Sequence, residues 1–151
     1  MSKVIFERSD GGVTVRNLYE HTAAEAIADA IATGKAANTP IEVADTPAGD
    51  SVEYEFRGAW AIVAGEVAVD MPRARGIHMG RIREARDVAL SRLDIDWMRQ
   101  TGQGDSAAAQ ATENARQVLR DIPATFDLET GTPNPQALSA RWPPGLDRPG
   151  R

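Results

Sequence analysis

The chain has 151 residues, is 42% hydrophobic and contains no cysteine. That length suits one ordinary domain or two very small ones, and the missing thiol excludes disulfides, thiolate metal sites and cysteine nucleophiles together. Charge is unevenly divided: five Lys/Arg against twelve Asp/Glu to residue 70, and twelve against ten beyond it, within a net charge of −5. The sign changes at Asp70-Met71-Pro72, the clearest organisational boundary in the chain. No run approaches the roughly 18 apolar residues of a membrane span. The stretch "MSKVIFERSDGG" lacks the apolar core and cleavage site of a secretory leader.

In chain order, "KVIFERSDGGVTVRNLY" predicts a β-hairpin around Asp10-Gly11-Gly12, where glycine tolerates the positive φ of a tight turn. Val4 and Phe6, with Val13 and Val15, are expected to form one inward apolar face. "HTAAEAIADAIATG" predicts a helix with a capping box at Thr22 and Glu25, a stop at Gly34, and a stripe of Ala23, Ile27 and Ile31. "IEVAD" is a short strand, and "SVEYEFRGAWAIVAGEVAVDM" reads as two more strands around Ala64-Gly65. Residues 1–70 thus form a small acidic α+β unit, near the lower size for independent folding.

Residues 71–122 read as an antiparallel helical hairpin. Asp70 can cap its first helix and Pro72 suits a first turn. Ile82, Ala85, Ala89, Leu93 and Trp97 fall on one face, with most arginines elsewhere. "TGQGD" makes the turn, and Asp105 or Ser106 caps the second helix. There Ala108, Ala111, Ala115, Val118 and Ile122 repeat at 3-4-3-4 spacing, a heptad-like seam of mostly small residues. Pro123 is expected to stop that helix. Residues 123–151, with five more prolines, read as an extended Pro/Trp-rich tail with one short helical turn over "PQALSARW". The fold class is therefore α+β.

No catalytic, cofactor-binding or metal-ligating set emerges. His21 and His78 each lack a second ligand at i+4, and His78 reads as a polar helix-face residue. There is no phosphate-cradling loop, dinucleotide fingerprint or nucleophile elbow. Asp94 and Asp96 diverge on a helix, whereas carboxylate chemistry needs convergence. The arginine-rich helix is first a solvated face with i,i+4 pairs such as Arg83–Asp87. Interleaved acids, an acidic balance and few aromatics disfavour nucleic acid as its partner. Trp60 and Trp97 read as core, while Trp142, between arginine and two prolines, either folds back or inserts into a partner.

Several pieces, in order, resemble small proteins encoded in the tail modules of tailed bacteriophages. They are "EFRGAW", "VDMPRARGIHMGRIREAR", "LDIDWMRQTGQGD", "VLRDIPATFDL" and "ALSARWPP", spread over about the last two thirds of the chain. The ending, L-R-D-x-P and then W-P, is similar to that of many tail and tail-fibre assembly chaperones. The segment leading into it, "TENARQVLRD", departs from the Trp/Tyr-Arg lead common in those chaperones. The resemblance implies a non-enzymatic protein located in the virion tail region, and in host cytoplasm during assembly. Its partners would be tail or tail-fibre proteins, with self-association left open. It is either a structural or adaptor subunit or an assembly chaperone absent from the mature particle. Partner contacts are expected at Arg116, Arg120, Pro123, Phe126, Trp142, Pro143 and Pro144.

Overall fold

In the computed structural model the described residues are 2–19, 21–43 and 45–150. They fall into two compact units, residues 1–77 with 134–136, and residues 78–133 with 137–151. The architecture is α+β, with strands confined to the first unit.

In the first unit, β1 (Lys3–Glu7) and β2 (Val13–Asn17) form the expected hairpin, and β3 (Ile41–Val43) pairs with the other side of β1. Gly11 takes φ +77°, and the Asp10 carboxylate accepts from the Gly12 N–H at 2.8 Å, closing the turn. The register sets Ile5 opposite Val15 and Phe6 opposite Thr14. Val13 and Val15 therefore lie on the face of Ile5, opposite to Val4 and Phe6. The expected single apolar face is corrected to two, because side chains alternate along each strand.

Each face has its own cover. Val4 and Phe6 meet Ala26 and Ala30 of α1 (Ala23–Ala32). The helix has the expected capping box, with Thr22 N–H donating to Glu25 at 2.8 Å. Its buried line is Ala26 and Ala30, with Ala23 and Ile27 beside them, while Ile31 is 58% exposed. Small alanines let helix and sheet approach, and Arg16 on β2 holds Asp29 at 2.6 Å, fixing the helix's rotation.

The opposite face, Ile5 and Val13, meets Trp60 of a second hairpin, β4 (Trp60–Val63) and β5 (Glu66–Val69). Ala64 and Gly65 turn it, both at positive φ. Upstream, Ser51 caps a short helix α2 (Val52–Glu55), and a tight turn over Arg57–Ala59 follows where a strand was expected. Helix replaces strand there because the Ser51 hydroxyl accepts the Tyr54 N–H at 3.2 Å and the Trp60 indole donates to the Glu53 carbonyl at 3.0 Å.

The second unit holds most of α3 (Met71–Gly102), then α4 (Ser106–Thr125) and the last residues of α5 (Pro135–Ala140). Asp70 accepts the Arg73 N–H at 3.1 Å, and Asp105 accepts the Ala108 N–H at 3.0 Å, so both long helices start on aspartate caps. On α3 the expected face is buried at Ile82 and Ala85 and half-buried at Ala89, Leu93 and Trp97. The α4 seam is corrected. Ala111, Ala115 and Val118 are exposed, and the inward positions are Ala109, Thr112, Arg116, Leu119 and Ile122. Pro123 does not stop α4, which runs on to Thr125. So near the C-terminal end proline removes one intrahelical bond without needing a break.

Phe6→Ala is expected to cost about 3 kcal/mol or more in urea unfolding. Ile31→Ala, on the same unit but outside its core, should stay within about 0.5 kcal/mol.

Candidate interaction surfaces of the helical hairpin

α4 is rich in alanine and brings few large apolar side chains to α3, and polar groups clamp the hairpin beside them. Arg116 on α4 reaches Asp94 of α3 at 2.7 Å, contacts Glu113 one turn back, and lies 5.2 Å over the Trp97 ring. Its side chain is only 16% exposed. One turn nearer the loop, the Thr112 hydroxyl donates to Gln100 Oε1 at 2.7 Å. Arg120 donates to Glu113 at 2.8 Å. The Arg120 hydrogen bond, seconded by the Arg116 charge, holds the Glu113 carboxyl below its ordinary range. Beside this clamp, Trp97, Thr101, Ser106, Ala109 and Glu113 line a shallow groove of about 380 Å³.

The C-terminal segment is folded back, not extended. The Trp142 indole donates to the Leu146 carbonyl at 2.9 Å, and its ring meets His78 edge-on at 5.6 Å. His78, expected on a polar surface, is fully buried, and its Nε2–H donates to the Arg141 carbonyl at 2.7 Å. Arg141 in turn donates to the Asp127 carbonyl at 2.7 Å and lies 5.6 Å over Phe126. Arg148 covers Trp142 from 5.4 Å and donates to the Ser139 carbonyl at 2.6 Å. Two backbone N–H groups, from Glu129 and Thr130, end on the Asp127 carboxylate and shape the turn into this segment. Thr130 is the first cause of the lowered Asp127 pKa.

The structure therefore gives most of the expected contact residues internal work. Arg116, Phe126 and Trp142 serve the unit's own packing, Arg120 is exposed and pairs with Glu113 on its own helix, Pro143 is buried, Pro123 is half-buried, and Pro144 is exposed. The exposed apolar positions lie elsewhere. Val88, Ile95 and Met98 are 55%, 56% and 60% exposed and share one face of α3 by their spacing of seven and three. On α4, Val118 is 66% exposed, with Ala111 and Ala115 exposed at the same helical spacing. The 3-4-3-4 pattern did mark a real apolar line, but its middle faces solvent, and the inward line mixes the polar Thr112 and Arg116 with Ala109, Leu119 and Ile122.

Among the described residues, no three His, Asp or Glu side chains lie together as a metal site requires. No described helix is long and apolar enough to cross a membrane. The chain matches no family model, no curated protein and no solved structure.

Trp142→Ala should destabilise the second unit by about 2 kcal/mol, below the full cost of a buried tryptophan because the ring is half-buried. Thermal unfolding measures it, and an unchanged midpoint would show that the indole contributes nothing there. The Glu113 shift adds stability that is complete above the ordinary value of 4.5 and is lost as pH falls through the depressed pKa. Helicity at 222 nm should hold steady above that value and weaken below it, with Glu113→Gln flattening the slope.

Proposed function

We propose that this protein is a non-enzymatic subunit of the tail or tail-fibre region of a tailed bacteriophage, acting by protein–protein attachment. The observation that carries the attachment reading is the exposed apolar face of α3, Val88, Ile95 and Met98, with Val118 on α4 adding a second exposed site. Single exposed hydrophobes are ordinary, but three on one helical face that stay more than half exposed among the described residues suit an interface. The tail-module motifs support the setting. Their residues run from Leu119-Arg120-Asp121 near the end of α4 to Trp142-Pro143, whose segment folds back onto His78 of α3. A rigid hairpin presents such a face at low entropic cost, which favours a permanent subunit.

The same exposed face also fits an assembly chaperone that shields apolar surfaces of tail subunits and then departs. Purified particles separate the two. Stoichiometric copies by mass spectrometry are expected, and presence only in infected-cell lysate would assign the chaperone role. Ile95→Asp with Met98→Asp should abolish incorporation while shifting the unfolding free energy by no more than about 0.5 kcal/mol per site. Undiminished incorporation of that double variant would overturn the proposed surface.

A further inference from the structure

The first unit carries an open sheet edge beside a basic, aromatic groove. The order is β2-β1-β3, so β2 has one neighbouring strand among the described residues. At the two ends of its ladder, Leu18 N–H donates to Ser2 at 3.4 Å and Arg8 N–H donates to Gly12 at 2.7 Å. Antiparallel pairing alternates, so Thr14 and Arg16 bond inward to β1, while Val13, Val15 and Asn17 direct N–H and C=O outward. β1 is satisfied on its other side as well, where the Glu7 N–H meets Asn38 at 3.0 Å and its carbonyl takes the Ala37 N–H at 2.7 Å. The other edge strand, β3, has only three residues.

Val13, Val15 and Asn17 also line a groove of about 710 Å³, walled on the far side by Tyr54, Arg57 and Trp60. Its cations are Lys3, Arg8 and Arg57, against the single carboxylate Asp45. Asp45 lies 3.5 Å from Lys3, and Arg8 is paired with Asp10 at 3.1 Å. Arg57 instead lies 5.1 Å over the Tyr54 ring and meets no carboxylate among the described residues. With Lys3 and Arg8 already paired, the exposed Arg57 at the groove is the cation that points to a negatively charged guest.

We propose that the free edge of β2 accepts an extended peptide segment of another protein as a fourth strand, with a carboxylate of that segment received by Arg57. Main-chain hydrogen bonds to Val13, Val15 and Asn17 give the affinity, and alternate side chains entering the groove give the selectivity. This inference uses the first unit alone and is independent of the hairpin reading above.

The test uses the full chain, labelled with nitrogen-15, titrated with a blocked heptapeptide of alternating valine and glutamate. A valine–lysine peptide is the control. With the glutamate peptide, the Val13, Val15 and Asn17 amides should shift and their exchange should slow. Binding should weaken at least about fivefold for the lysine peptide and for Arg57→Ala. Val15→Pro removes only an outward donor and should abolish binding while circular dichroism keeps its sheet signal. If that variant unfolds, the Arg57→Ala and two-peptide comparisons still decide. Unperturbed amides, equal binding of both peptides, or protection that rises with protein concentration without peptide would each overturn the proposal, the last by making a second copy the occupant.

Discussion

The second unit depends on Arg116. α4 is rich in alanine and offers α3 little apolar area, so burial alone could leave the pair free to slide or rotate. A guanidinium resolves this because its planar fork bonds in fixed directions and its flat face stacks on an aromatic ring. Arg116 uses both properties at once, on Asp94 and on Trp97. Register between α3 and α4 is thereby set by direction, where a leucine seam would set it by volume. The Thr112–Gln100 hydrogen bond repeats the solution nearer the loop.

That choice has a consequence for the surface. With Thr112 and Arg116 on the side of α4 that faces α3, beside Ala109, Leu119 and Ile122, the positions Ala111, Ala115 and Val118 meet solvent. On α3 the expected apolar face does point inward, yet Val88, Ile95 and Met98 form another on the far side. The hairpin thus combines polar clamps inside with exposed apolar positions outside. The folded-back C-terminal segment packs on it, since the Trp142 ring meets His78 edge-on and carries the Arg148 cation over its own face.

The first unit solves the small-core problem differently. β1 is paired along both edges and covered on both faces, by α1 and by the β4–β5 hairpin, so one short strand organises the whole unit. The saturation stops at β2, whose outer edge has no partner strand among the described residues. The described residues thus expose apolar helix positions on one unit and an edge strand on the other.

Local chemistry made much of this legible in the sequence. Asp10-Gly11-Gly12, the Thr22–Glu25 box, Ala64-Gly65 and Asp105 name their turns and caps, because such features rest on contacts within four residues. The inward line of α3 was legible too, since large apolar residues mark it. Rotation of α4, the two-faced hairpin and the burial of His78 were not. Each depends on partners far along the chain: Asp94 for Arg116, Ile5 for Val15, and Arg141 with Trp142 for His78. Periodicity reports which residues share a face. It does not say which face turns inward when alanine carries almost no hydrophobic preference and an arginine with two acids outweighs it, and only the tertiary structure decided that.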